Sequence, residues 1–173
     1  ESDMAQMEAL IADMLIYARA GSPHTPRELI DLPTLVRNVV AAAPYPVSLQ
    51  ANPGESFRVI GDPVALRRLF DNLLENADRY GRSDIIVTVR PQADGLHITI
   101  EDDGPGLPGE QLERVFQPFS RAEGSRNRST GGSGLGLGIA KAVAEAHGAS
   151  LTLNNRASGG LAATVHFPAD LST

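Results

Sequence analysis

The sequence predicts an α+β fold, a two-layer α/β sandwich preceded by a short amino-terminal helix. Three observations carry that prediction. Residues 62–80 repeat apolar side chains at helical spacing behind an Asp-Pro start, whereas 85–90 and 96–101 alternate as strands around the turn Ala93-Asp94-Gly95. A second apolar helix, from Gly134 through Ile139 and Val143, leads into strands over 150–154 and 161–167. Helices and paired strands in this order bury their apolar sides on one another.

At 173 residues and 42% hydrophobic, the chain is long enough for one sizeable core. The 17 glycines and 12 prolines cluster without a period, so no repeat or collagen-like array is present. A formal charge of -6 disfavours nonspecific attraction to nucleic acid or to an anionic membrane, both polyanions. Without cysteine there are no disulfides or thiolate metal sites, and no apolar run is long enough to span a bilayer. The chain starts at Glu1 inside a helical pattern, with neither initiator methionine nor signal peptide, and is expected to be a fragment.

In order along the chain, Met4, Met7, Ile11, Met14 and Ala18 recur at spacings of three and four, the rhythm of a helix seam. That stripe packs either on its own domain or on a second helix. The linker GSPHTP follows, and residues 21–30 are expected to join the helix at 1–20 to a domain at 31–170. A short helix near Asp31 and Pro33 should bury Leu35, Val36, Val39 and Val40. Strands are expected over 47–51 and 56–60, on either side of the turn residues Asn52, Pro53 and Gly54. Asp62 as N-cap and Pro63 at the first position open the long helix, with Leu66, Leu69, Phe70, Leu73 and Ala77 as its core stripe. After the hairpin come a glycine-rich loop at 102–109, a short helix at 110–115 and a polar surface loop at 117–133.

Four segments carry residues suited to chemistry. On the long helix, Asn72, Asn76 and Arg79 fall within about 60° of one another, with Glu75 at the edge of that face. An asparagine oxygen is a neutral, hard ligand suited to Mg²⁺, which takes most of its charge neutralisation from phosphates. The plainer alternative is a solvated face on which Glu75 and Arg79 pair at i,i+4. The segment EDDGPGLPG ends an apolar strand, and an acid there can accept a hydrogen bond from the exocyclic amine of adenine; guanine presents an oxygen instead. Otherwise it is a plain turn. In GGSGLGLGIA small residues precede a helix whose first amides are unpaired, a ready phosphate site. No P-loop motif occurs. Between these lies VFQPFSR, followed by Arg126 and Arg128, a cationic stretch suited to a lid over phosphates.

In this order and spacing the four segments resemble the N, G1, F and G2 boxes of sensor histidine kinases, over roughly 31–168. The resemblance implies a Bergerat-type ATP site, with ATP and Mg²⁺ as cofactors. It further implies Mg²⁺ on Asn76 with Asn72 assisting, Arg79 on phosphate, Tyr80 bordering the nucleotide and Asp102 reading adenine. Gly104 and Gly106 would supply the turn, Phe116 and Phe119 would border the site, and Arg121 with Ser133, Gly134, Leu135 and Gly136 would contact phosphate under a lid at 120–133. Glu75 is the candidate base, with Asn76 and Arg121 the other catalytic residues.

The resemblance makes 1–20 part of the second helix of a dimerisation domain, whose missing first helix bears the phosphoacceptor histidine. Implied partners are that histidine, a response regulator and a second copy of the parent. Nucleic acid is excluded, and no direct membrane contact is expected of this domain, which is placed in the cytoplasm below a parent anchored in the bacterial inner membrane. None of His24, His97, His147 and His166 sits in the acceptor motif. All four are read as structural, and the chain is not expected to phosphorylate itself. Rival readings are an ATP-driven clamp of the same fold and an interaction module with a degenerate site.

Overall fold

Each of the two helices that follow a β-strand near the amino end starts on an aspartate. In the computed structural model, which describes residues 26–117 and 134–173 together with 11, 14–16, 18 and 19 of an amino-terminal helix (α1), Asp31 accepts from the Thr34 amide and caps α2 (Leu32–Ala42). Asp62 accepts from the amides of Val64 and Ala65, at 2.9 and 3.2 Å, and caps α3 (Pro63–Tyr80). Pro33 and Pro63 sit in the first turns, where a missing N–H costs nothing.

The remaining elements are β1 (Glu28–Asp31), β2 (Ser48–Gln50), β3 (Arg58–Gly61), β4 (Ile86–Gln92), β5 (Gly95–Glu101), α4 (Gln111–Arg114), α5 (Gly136–Ala146), β6 (Ser150–Asn155) and β7 (Leu161–Pro168). Five strands form one sheet in the order β2-β4-β5-β7-β6, and β1 and β3 form a separate antiparallel pair. Only β2 joins the large sheet in parallel, against β4.

Period-two alternation sends Val87, Val89, Leu96, Ile98, Ile100, Val165 and Phe167 to one face of the sheet. Helices α3 and α5 cover it, with α2 against α3. All five residues of the predicted α3 stripe are buried, joined by Ala65 and Leu74. Completely enclosed side chains such as Leu66 and Leu69 contribute about 1.5–3 kcal/mol each relative to exposure. The other face carries Thr88, Arg90, His97, Thr99, Thr152, Thr164 and His166, so only one layer of helices is needed.

Two expectations are corrected, and a strand pairing that the sequence left open is decided. The domain opens with strand β1 at Glu28, inside the segment read as linker; only Ile30 of its four residues is buried, so no alternation marks it. The strands flanking Asn52–Gly54 belong to different sheets, because Asp31 reaches across to Ser56 Oγ and the Phe57 amide and draws β3 onto β1. Helix α2 buries Leu32, Pro33, Val36 and Val39, whereas Leu35 and Val40 are partly covered. The stripe of α2 is thus set one turn earlier than expected.

His147 ties the carboxyl end of α5 to the start of α3. Its Nε2 accepts from the Asp62 amide at 3.0 Å, which obliges Nδ1 to carry the proton and donate to the Val143 carbonyl at 2.8 Å. A Cβ on Gly61 would stand 2.7 Å from His147 Cδ2, so only glycine admits the ring. Arg27 Nη2 donates to the Ala146 carbonyl at 3.0 Å and supplies a cation at the same helix end.

Burial lowers the pKa of His147, against the opposing hydrogen bond to Val143. The folded state therefore resists the proton that the unfolded chain accepts. Stability is complete above the ordinary histidine value of about 6.5 and is lost as pH falls from there toward the lowered value. Thermal unfolding between about pH 7.5 and 5.5 should show a fall in Tm that is smaller in His147→Gln, whose carboxamide oxygen still accepts from Asp62.

Candidate functional site

The G1 segment is held by a carboxylate at the end of β5. Asp102, 4% exposed, accepts with Oδ1 from the amides of Gly104 (2.8 Å) and Leu161 (3.2 Å). Its own amide donates to the Leu161 carbonyl at 3.0 Å. Oδ2 has no hydrogen-bond partner among the described residues.

Glycine is required around this carboxylate because backbone crowds it. A Cβ on Gly160 would stand 1.9 Å from the Asp102 carbonyl oxygen, and one on Gly104 would stand 2.3 Å from the Tyr80 carbonyl oxygen. Gly106 turns the loop at φ +71°, where its position also leaves room for Asn155. Both predicted loop glycines are therefore needed, Gly104 for close approach and Gly106 for conformation.

A second loop, from the β6–β7 turn, braces the first. Asn155 Nδ2 donates to the Leu107 carbonyl at 2.6 Å while the Leu107 amide donates to Asn155 Oδ1 at 2.8 Å. Arg156 Nη1 donates to the Asp102 carbonyl at 2.6 Å, and its Nε pairs with Glu101 at 3.0 Å. Asp103 accepts from the amides of Arg82 and Ser83 and from Ser83 Oγ, and these bonds hold its carboxyl well below the usual range. The carboxyl end of α3 is thereby fastened to the G1 loop. Sequence reasoning missed Asn155, Arg156 and Gly160; their one local signal was the ASGG turn.

The polar face of α3 is graded in depth. Asn72 is 4% exposed, Asn76 is half-buried, and Glu75, Arg79 and Tyr80 are exposed. Asn72 Nδ2 is buried without a hydrogen-bond partner among the described residues, and a Cβ built on Gly136 would lie 3.5 Å from Asn72 Oδ1. The start of α5 therefore sits beside the middle of α3, and among the described residues no side chain caps it. Leu135 is buried as the N-cap residue, and Gly134 turns at φ +71° just before it.

Glu75 pairs with Arg68 Nη1 at 3.0 Å instead of with Arg79. The guanidinium of Arg68, two turns earlier on the same face, reaches Glu75 and leaves Arg79 without an ion pair among the described residues. Burial, opposed by Arg67 and Arg68, raises the pKa of Asp71; burial followed by the charges of Asp78, Glu75 and Asp71 pushes the Tyr45 phenol up to about 12. Phe116 lies half-buried under Lys141 Nζ, 4.5 Å from the ring centre, and its carbonyl limits Gly138 to glycine. Phe119, Arg121, Arg126, Arg128, Ser133 and the expected lid lie outside the described residues.

One helix thus carries Tyr80 beside the buried carboxylate and Asn72 beside the open start of α5. Residues 61–171 match the family described as histidine kinase-, DNA gyrase B- and HSP90-like ATPases. The chain belongs to this family.

Its similar proteins are sensor kinases. Sensor protein RstB of Escherichia coli K12 is 34% identical over 172 residues, 96% of this chain and 40% of the relative. Sensor histidine kinase GtrS of Pseudomonas aeruginosa is 35% identical over 96% of this chain and 34% of the relative. This chain therefore spans well under half the length of either. Among solved structures, the histidine kinase domain of the E. coli osmosensor EnvZ aligns at TM-score 0.63 and 33% identity, over 85% of this chain and 91% of that one. The mycobacterial sensor histidine kinase MprB aligns at TM-score 0.66 and 27% identity, over 83% and 97%. The ATPase domain is homologous to those of two-component sensor kinases, and the observed sheet packed against helices is their fold. Among the described residues no helix is long and apolar enough to cross a membrane.

The crowding around Asp102 can be tested without ligand. Gly159 and Gly160 both turn at positive φ, 92° and 95°, but only Gly160 meets the Asp102 backbone. Gly159→Ala should cost about 1 kcal/mol of backbone strain, and Gly160→Ala clearly more, on the order of 2–4 kcal/mol, in urea unfolding. Equal losses would mean that the contact relaxes freely.

Proposed function

We propose that this chain is the ATP-binding catalytic domain of a two-component sensor histidine kinase, which donates the γ-phosphate of ATP to a histidine on the first dimerisation helix of the full-length protein, for onward transfer to a response regulator. The observation that carries this reading is the placement of two unsatisfied groups along α3. Asp102 Oδ2 lies beside the end of the helix, and Asn72 Nδ2 and the α5 amides lie beside its middle. Eight residues of helix, from 72 to 80, span about 12 Å, a separation suited to an adenine at one end and phosphates at the other.

The residues present fit both ATP and Mg²⁺. A buried carboxylate with one oxygen already on two amides can accept from an exocyclic amine with the other, and guanine would set an oxygen against it. Asn76, half-buried on the same face as Asn72, would hold Mg²⁺, with Asn72 turned toward the phosphates and Arg79 and Tyr80 at the rim. The cation supplies charge neutralisation when bound. Gly134, Leu135 and Gly136 lead into the α5 amides that would receive phosphate, and Phe119, Arg121 and Ser133 would close over it as part of a lid. Phe116, held under Lys141, borders the site from the α5 side. Phosphoryl transfer then rests on positioning and electrostatics, and Glu75 is the base that would receive a proton from the acceptor. Its carboxylate, shared with Arg68, is held in place for that role.

The same reading assigns residues 1–20 to the second dimerisation helix and the segment before β1 to its junction with the domain, which opens at Glu28. In support, Ile11 and Met14 of the seam are 55% and 47% exposed and Ala18 is exposed, whereas Ile16, off the seam, packs on the domain core. The seam is thus left for a partner helix in a homodimeric parent. The domain works in the cytoplasm, with its parent anchored in the bacterial inner membrane, and itself binds no nucleic acid and makes no direct membrane contact. The acceptor histidine belongs to the parent, so this chain by itself transfers no phosphate to itself.

Calorimetry with a nonhydrolysable ATP analogue, with Mg²⁺ and with EDTA, tests this reading. Binding should require the metal and prefer adenine over guanine. Asp102→Asn keeps Oδ1 as acceptor and turns the outward atom into a donor, so ATP-analogue affinity should fall about 10- to 100-fold with the fold intact, while the GTP analogue is not penalised. Asn76→Asp, which adds a charge beside the triphosphate, should weaken Mg²⁺-nucleotide binding at least about tenfold and change its metal dependence. Unaltered binding in both variants would reject the assignment.

A further inference from the structure

A second cluster of ligating groups lies at the opposite end of β5 from Asp102, on the solvent face of the sheet. His97 on β5 and His166 on β7 are register partners, and their rings stack at 4.4 Å between centres with 22° between planes. Both turn Nε2 toward the carboxylate of Asp94 in the β4–β5 turn. His97 Nε2 is 2.9 Å from Oδ1, and His166 Nε2 is 3.6 Å from Oδ2 and 3.2 Å from the Asp94 carbonyl oxygen.

The turn that presents Asp94 is fixed by backbone and not by chance side-chain contact. The Asp94 carbonyl accepts from the Ala169 amide at 2.9 Å. Gly95 sits at φ +142°, and a Cβ there would stand 2.0 Å from the Phe167 carbonyl oxygen. The flanking register partners, Arg90 on β4 and Ser150 on β6, are not competing carboxylates or imidazoles.

We infer that Asp94, His97 and His166 form a binding site for a borderline divalent transition cation of the Zn²⁺ class. One ligand atom from each residue lies within 4.8 Å of the other two. Ligand atoms around tetrahedral Zn²⁺, with bonds near 2.0–2.1 Å, stand about 3.3 Å apart. Rotation of the exposed Asp94 carboxylate and of the two half-buried imidazoles closes the difference, because the three backbones are already in place. Two imidazoles and one carboxylate select Zn²⁺, Ni²⁺ or Cu²⁺ over Mg²⁺ and Ca²⁺, which prefer oxygen. Three protein ligands leave a position for water or for a donor from elsewhere. The imidazoles give up any Nε2 proton on binding, so the ion takes the place of protons shared with Asp94. Bound there, it would clasp the β4–β5 turn to the end of β7. Five residues of strand, about 17 Å, separate His97 and its register partner His166 from Asp102, so the cluster is independent of the nucleotide site.

The test is calorimetric titration of the chain with ZnCl₂ in a non-chelating buffer, beside Asp94→Asn, His97→Gln and His166→Gln. The expected result is one Zn²⁺ per chain at micromolar affinity, at least tenfold weaker in each variant, with no binding of Mg²⁺ by this cluster. Retained affinity in His147→Gln and His24→Gln would exclude the other two histidines of the chain. In the unsubstituted protein, NMR signals of the His97 and His166 rings should shift with Zn²⁺ while those of His147 stay, a reading independent of how any variant folds. ATP-analogue affinity should be unchanged, within about twofold, in the three variants. The inference is overturned if Zn²⁺ does not bind at about 100 µM, if all three variants bind it as well as the parent, or if the His97 and His166 rings do not respond.

Discussion

A carboxylate buried at the end of a central strand is costly unless its oxygens are used, and this constraint organises one end of the molecule. Asp102 meets it with a single atom. Oδ1 accepts from Gly104 in its own loop and from Leu161 at the start of β7, so one oxygen joins the G1 loop to the neighbouring strand. The crowding follows directly: the backbones at 80, 102, 104 and 160 approach too closely for a Cβ at Gly104 or Gly160. Arg156, Asn155 and Asp103 then fix the loops on either side. The result is a rigid acceptor with one oxygen uncommitted, the preorganisation that binding selectivity needs.

Helix α3 serves the core and the site at once. Its apolar stripe is enclosed against the sheet and α5, which sets the rotation of the helix and so the direction of every polar residue on it. Asn72 lies at the edge of that buried stripe and is drawn inside, while Asn76 and Arg79, one and two turns on, emerge progressively toward solvent. His147 holds the amino end of α3 through the Asp62 amide, and Asp103 holds the loop just beyond its carboxyl end. A helix fixed at both ends keeps its side chains in register with loops contributed by distant parts of the chain.

Much of this was legible in the sequence because the rules involved are local. Asp62-Pro63, the alternation in β4 and β5, and the stripe from Leu66 to Ala77 each report a single element. The resemblance to the four boxes implied a common site for Asp102, Asn76 and the glycines before α5. β1 was not legible, because a four-residue strand with one buried side chain has no period to read. The partition of β2 and β3 between two sheets was not legible either, since it depends on Asp31 reaching Ser56 and Phe57 across 25 residues or more. The Glu75–Arg79 pairing was reasonable at i,i+4, yet the longer reach of Arg68 displaced it.

The sequence by itself determined the element types other than β1, the α+β class, the core stripe of α3 and the residue types available for a nucleotide, because periodicity and capping act within a few residues. Only the tertiary structure decided which groups are left unsatisfied. Asp102 Oδ2 and Asn72 Nδ2 are uncommitted because of where Leu161 and Gly136 come to rest. Likewise, His97 and His166 are 69 positions apart in the chain and unremarkable as sequence. Antiparallel pairing of β5 with β7 puts them opposite one another, and the turn at Gly95 brings Asp94 to both. Such proximities arise from strand register and close packing, which a linear pattern does not encode.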